Sequence, residues 1–182
     1  MKELSEHILD IAQNSVAAGA SHLAITLTED EKGWLTVVIE DDGRGMDPEL
    51  LAVVSDPFTT TRTTRAVGLG LPLYRMTAEL TGGNLTIRSA PGVGTAVTAL
   101  FDLHHLDCPP LGNLPDTIAL LIQGNPDLDV DYRHDTARGR AELFTMEMRQ
   151  ILGDDISLAE PAVFNWIQTC LTEQEAAIEG AE

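Results

Sequence analysis

The chain has 182 residues, 43% of them apolar, with 11 Lys+Arg against 29 Asp+Glu and a formal net charge of −18. An apolar share near half excludes a wholly disordered chain, and no apolar run approaches the ~20 residues of a membrane span. The acidic balance argues against nucleic acid as a partner, because phosphate-backbone binding needs clustered Lys and Arg. Two cysteines, Cys108 and Cys170, are too few for a disulfide framework. Met1–Ala20 lacks the basic start and apolar run of a signal peptide. A cytoplasmic protein with no membrane partner is expected.

Leu4–Ala18 predicts a helix, with Leu4, Ile8, Ile11, Ala12 and Val16 on a wide apolar arc and Gly19 at its C-terminal stop. Leu23–Leu27 and Trp34–Glu40 predict strands around a polar turn, Glu29–Gly33. Asp41–Met46 is a glycine-broken loop, and Asp47-Pro48 opens a short helix to about Val54. The threonine-rich Ser55–Val67 has no periodicity and reads as a loop. Gly68-Leu69-Gly70 leads into a helix with Pro72 in its first turn and Gly82-Gly83 past its end. Leu85–Ser89 and Thr95–Phe101 are strands joined by the turn Ala90–Gly94.

Beyond that point His104–Asn113 is irregular, 116–123 predicts a short helix, Leu128–Tyr132 a strand, and Phe144–Leu152 and Pro161–Leu171 helices. Glu173–Glu182 reads as a solvated acidic tail. Net charge is −6 over residues 1–101 and −12 over 102–182, which places a boundary near Asp102. The expected organisation is a domain over 1–103 and a small acidic α+β accessory module over 104–182. The expected fold is a two-layer α/β sandwich, a mixed sheet against a helical layer.

Four local features carry chemistry. Asp10 and Asn14 stand four residues apart, on one helical face. An amide oxygen there can ligate Mg²⁺, and the carboxylate can orient or deprotonate an attacking water. Asp41-Asp42-Gly43-Arg44-Gly45-Met46 follows an apolar strand, so a carboxylate at a strand end is followed by glycines that let a flat group approach. Asp56-Pro57-Phe58-Thr59-Thr60-Thr61-Arg62 precedes Gly68-Leu69-Gly70-Leu71 at a helix start, where unpaired N–H groups suit a phosphate. Gly92-Val93-Gly94-Thr95 is a turn whose hydroxyl can serve the same pocket. Taken singly, each has a bland reading as an exposed pair or an ordinary turn. Their order makes the combination specific.

In that order the sequence resembles the superfamily of DNA gyrase, heat-shock chaperone, histidine kinase and mismatch-repair ATPase domains (the GHKL or Bergerat fold). DIAQNSVAAGA resembles its N box, DDGRGM its G1 box, DPFTTTR its F box, and VGLGLPLYRMTAELTGG with GVGTAVTALF its G2 box and closing strands. The resemblance covers about residues 1–103. It implies ATP and Mg²⁺ as cofactors, with Asn14 ligating the metal and Asp41 accepting from the adenine amino group. Gly43 and Gly45 would shape that wall and Thr95 support it through water. Gly68, Leu69, Gly70 and Leu71 would form the phosphate cradle, with Arg62 facing the γ-phosphate. Asp10 takes the position of the general base, usually a Glu in hydrolysing members.

A sensor histidine kinase carries a dimerising, phosphoaccepting helical hairpin ahead of its N box. Only 13 residues precede Asn14 here. The resemblance therefore implies a stand-alone histidine-kinase-like domain that transfers a phosphoryl group to a partner protein in trans. The alternatives are a slow ATPase switch and a non-hydrolysing ATP sensor. A protein phosphoacceptor and a second copy of the chain are the partners considered. His7, on the face of Asp10 and Asn14, reads as a structural histidine. His104-His105-Leu106-Asp107-Cys108 offers four metal-ligand types in five residues, which His134-Asp135 could complete. Adjacent ligands rarely close one tetrahedron, so a polar linker is expected. Phe164 and Trp166 read as core or interface anchors.

Overall fold

The computed structural model describes residues 3–55, 70–153 and 155–179. Period-two burial decides which way its sheet faces. Leu23, Ile25 and Leu27 of β1 (His22–Glu29) are buried, as are Leu35, Val37 and Ile39 of β2 (Trp34–Asp41), while the residues between them are not. Val97, Ala99 and Phe101 of β4 (Gly94–Asp102) continue that face, and β3 (Asn84–Ala90) adds Leu85. β5 (Asp129–Thr136) contributes Val130, Tyr132 and His134, and β6 (Gly139–Phe144) contributes Ala141 and Leu143. The sheet runs β3-β4-β2-β1-β5-β6, with β1 and β5 parallel and the other neighbours antiparallel. It is a mixed sheet in an α/β fold, as expected.

Helices cover its apolar face. α1 (Leu4–Ala17) buries Leu4, Ile8, Ile11 and Ala12, and a fully buried aliphatic side chain contributes about 1.5–3 kcal/mol. Glu3, at its N-cap, makes no side-chain capping bond. Instead the carbonyls of Pro110 and Leu111 accept from the Leu4 and Ser5 amides at 3.0 and 2.9 Å, satisfying donors that every helix start leaves open. The irregular segment after β4 thereby fixes the helix that carries Asp10 and Asn14. α2 (Pro48–Ser55) and α3 (Gly70–Leu80) pack over β3 and β4, and α4 (Leu114–Gly124) packs between α1 and α6 (Pro161–Glu179). α5 (Thr145–Leu152) leans on β5.

Two expectations change. β6 was not anticipated, and it pairs with β5 to widen the sheet beyond β1. The acidic tail is not solvated throughout, because α6 runs on to Glu179 and buries Leu171, Glu175 and Ile178, an i, i+4, i+7 stripe. Glu175 accepts from the Tyr132 hydroxyl at 2.6 Å and pairs with His134 Nδ1 at 2.7 Å, while His134 Nε2 lies 3.2 Å from Glu29. Burial opposes a charge on His134, but the bonds to Glu175 and Glu29 outweigh it and push its pKa up to about 9. At neutral pH this imidazolium ties α6 to the sheet.

Candidate nucleotide site

Strand register builds one wall of the site. Asp41, the last residue of β2, lies opposite Thr95 of β4, and Thr95 lies opposite Ser89 of β3. Their parity matches Ile39, Val97 and Ile87, so the three side chains form a row on the helix-facing side of the sheet. Above that row, the buried Ser15 of α1 donates from Oγ to Asp41 Oδ2 at 2.6 Å, and the Gly43 amide donates to Oδ1 at 2.9 Å. Each carboxylate oxygen keeps a free lone pair, so Asp41 remains an acceptor.

Thr95 is an acceptor too, by proton inventory. Ser89 Oγ accepts from the Met46 amide at 2.8 Å and donates to the Gly94 carbonyl at 2.9 Å. With the Ser89 proton so used, its 2.9 Å contact to Thr95 Oγ1 is completed by the Thr95 proton. The remaining Thr95 lone pairs face a cleft whose other walls include Ile11, Met46, Leu50, Leu71 and Val97. An apolar slot with two acceptors at one end suits a flat ring bearing an amino group, and opposes one bearing a carbonyl there.

The Asp42–Asp47 loop is held from three sides. Asp42 accepts from the Ser21 amide and hydroxyl and the His22 amide at 2.6–2.8 Å. The Ser21 hydroxyl foremost, then the His22 amide, hold its carboxyl below the usual range. The Arg44 amide donates to Ala18 O at 3.0 Å, and Arg44 O accepts from Gly92 at 2.8 Å. Gly45 has φ +67°, and a Cβ on it would lie 1.9 Å from Ala90 O, so only glycine lets this loop dock on the β3–β4 turn.

On α1, Asp10 and Asn14 stand one turn apart. Asn14 Nδ2 is buried with no hydrogen-bond partner among the described residues. The Asp10 carboxylate rests on the first residue of α3, where a Cβ on Gly70 would fall 1.6 Å from Oδ2. Asn14, Asp41, Gly45, Leu71 and Thr95 thus line one cleft; Gly43 stands behind it through its bond to Asp41, and Asp10 and Gly70 meet each other outside that lining. Arg62, Gly68 and Leu69 lie outside the described residues. Ser15 and Ser89 were missed: Ser15 adjoins Asn14, and Ser89 faces Thr95 across a hairpin whose register a short turn could have suggested.

His7 is buried, stacks on Tyr74 at 5.1 Å and has Nε2 3.3 Å from Thr77 Oγ1. Burial, helped by the N-terminal charge, lowers its pKa, so it sits neutral in the packing. His134 faces Glu29 and Glu175, away from the role of completing a His104–Cys108 metal site. Among the described residues no group of three or more His, Cys, Asp or Glu is placed to hold a metal ion. A divalent ion at this cleft would have Asn14 Oδ1 as a protein oxygen, with phosphate oxygens as its main ligands. The orphaned Asn14 Nδ2 is a donor, so it suits a phosphate oxygen beside such an ion and not the ion itself.

The family model for histidine kinase-, DNA gyrase B- and HSP90-like ATPases matches residues 1–105. The tetrathionate sensor histidine kinase TtrS of Salmonella typhimurium is 34% identical over 104 residues, 56% of this chain and 17% of its own length. The histidine protein kinase DivJ of Caulobacter vibrioides is 31% identical over 102 residues, 53% of this chain and again 17% of its own. The chain therefore spans about a sixth of these relatives. The crystal structure of an N-terminal domain of a DNA repair protein superposes with a TM-score of 0.53 at 17% identity, covering 80% of this chain and 53% of that one. An alignment of that extent reaches past residue 105, so the likeness in fold includes part of the chain after β4. Among the described residues no helix is long and apolar enough to cross a membrane.

Proposed function

The chain belongs to the histidine kinase-, DNA gyrase B- and HSP90-like ATPase family, and from that premise we propose that it binds Mg²⁺-ATP and transfers the γ-phosphoryl group to a partner protein. The observation that carries the reading is the acceptor pair Asp41 and Thr95 in a cleft that Asn14 also lines, the pair to read the base and Asn14 to serve the phosphate end. Residues 1–103 would form the nucleotide-binding unit, and 104–182 an accessory module that shares its sheet.

Asp41 takes the adenine amino group, Ser15 and Gly43 hold its carboxylate in place, and Asn14 supplies an oxygen to Mg²⁺. The metal, when bound, screens phosphate charge. Gly68, Leu69 and Gly70 bring backbone N–H groups to the phosphates, and Arg62 offsets charge developing at the γ-phosphoryl group. In the transfer the bond between γ-phosphorus and its bridging oxygen breaks, ADP leaves, and an acceptor side chain forms the new bond to phosphorus. Asp10 receives the acceptor's proton. Such a reaction asks mainly for positioning and charge neutralisation.

A second reading, a switch that holds ATP intact, is favoured by one observation. Asp10 is a short side chain already resting on Gly70, and a base has to come within hydrogen-bond reach of its proton. A single-turnover incubation with γ-labelled ATP and Mg²⁺, alongside Asp10→Asn, separates the two. Label lost from ATP in an Asp10-dependent way, onto a protein acceptor, supports the kinase. Bound ATP that stays intact for hours with candidate acceptors present overturns it in favour of the switch.

A further inference from the structure

A groove of about 390 Å³ lies between α5 and α6, larger than the cleft of about 100 Å³ beside Asp41. Met148, Ile151 and Leu152 of α5 line it, with Ile156 from the connection and Val163 and Trp166 of α6. Three of these are far from buried: Ile151 is 84% exposed, Trp166 55% and Ile156 45%. Contiguous apolar surface of this kind marks an interaction site more often than scattered exposed side chains do, and Trp is the side chain most enriched among residues that dominate interface energies.

The rim says what the groove accepts. Glu147 lies one helical turn from Ile151, Asp155 adjoins Ile156, Glu160 precedes α6, and all three are exposed. From Gln150 to Glu182 the sequence has no Lys, Arg or His at all. The nearest cation, Arg149, is already bound to the Asp129 carboxylate and to the carbonyls of Pro126 and Leu128. An apolar slot between helices with a one-signed acidic rim is complementary to a helix with one apolar stripe and Lys or Arg on either side. A second copy would bring the same acidic rim and another −18 of charge, and an anionic lipid surface would be repelled likewise.

We propose that the groove between α5 and α6 docks a basic amphipathic helix of a partner protein. The partner's apolar residues at i, i+3 or i+4, and i+7 fill the groove around Trp166, while its cations face Glu147, Asp155 and Glu160. This site is independent of the nucleotide cleft and stands whether or not phosphoryl transfer occurs.

The test uses the full chain with Trp34→Phe, so that Trp166 is its one tryptophan, and designed peptides of about 18 residues, roughly five helical turns. One peptide is Leu/Lys with the leucines on a single face, one has the same composition scrambled, and one is amphipathic Leu/Glu. Binding of the first is expected to shift Trp166 emission to the blue, at least about tenfold tighter than the scrambled or acidic peptides. Ile151→Glu adds a negative charge, so simple attraction of a cationic peptide would rise, whereas loss of apolar docking lowers affinity by about tenfold or more. An unchanged thermal midpoint in that variant shows that its fold survives. Equal binding of amphipathic and scrambled peptides, or indifference to Ile151→Glu, reduces the effect to general charge and overturns the proposal. So does a dimer in sedimentation that Ile151→Glu dissolves, or Ile151-dependent binding to anionic vesicles, since each names a different occupant.

Discussion

The two ends of the sheet treat buried polar groups in opposite ways. Around β5 and β6 every one of Tyr132, His134, Thr145 and Glu175 is matched: hydroxyl to carboxylate, imidazolium to two carboxylates, and Thr145 Oγ1 to the Val130 amide. Under α1 and α3 the accounts stay open. The buried side-chain atoms without a partner among the described residues are His7 Nδ1, Asn14 Nδ2 and Tyr74 OH, all on α1 and α3. An unpaired buried polar group costs about 1–3 kcal/mol. One end closes its polar groups on one another, while at the other Asn14 holds an open donor in the cleft and His7 and Tyr74 carry theirs inside the packing.

The largest expected break of this contrast is Glu175→Ala. It strands His134 and the Tyr132 hydroxyl in the core, and removing one member of a buried pair costs about 3–5 kcal/mol. Urea unfolding should show that loss, and the ATP affinity of the folded protein should be unchanged. Asp41→Ala should do the reverse, weakening ATP binding by about a hundredfold or more in calorimetry, about 2.7 kcal/mol, with little effect on the urea midpoint. Equal effects of both variants on both readouts would erase the distinction between the two ends.

pH sharpens it further. His134 has a folded pKa of about 9 against an ordinary 6.5, so its raised pKa contributes stability that is fully present below about pH 6.5. That contribution is lost as pH rises through about 9, on the order of 3 kcal/mol. Unfolding curves from pH 6 to 10 should show the decline, and Glu175→Gln should flatten it. The smallest effect belongs to Ser89→Ala. Freed from Ser89, the Thr95 hydroxyl can turn and donate, so preference for ATP over GTP should narrow by about tenfold in competition binding, near 1.4 kcal/mol.

Much of the nucleotide half was legible because its signals are local. A strand ending in Asp-Asp-Gly, a helix with Asp10 and Asn14 one turn apart, and glycines before α3 each sit within a few residues. Ser89 was not legible in that way, since its role exists only once β3, β4 and the Met46 amide come together. The distal half hid for a different reason. Glu175 stands in the apolar stripe of α6 where a hydrophobic residue would announce burial, and its partners lie 41 and 43 residues away in sequence. β6 is short, with two of its six residues charged, so alternation alone could not raise it above a loop. Charge-paired burial is invisible to hydrophobic patterning because the pattern counts such residues as surface.

The parallel pairing of β1 with β5 sets a waiting time during synthesis. His22 pairs with Asp129, so the second side of β1 has no native partner until roughly a hundred further residues have been made. At about 5–20 residues per second that interval is roughly 5–20 s. Throughout it the nascent chain displays a row of free amides and carbonyls, the kind of template on which another strand can grow. A ribosome stalled between β4 and β5 would hold the chain in that sticky state, which makes the stretch from 103 to 128 the interval in which a chaperone has most to protect.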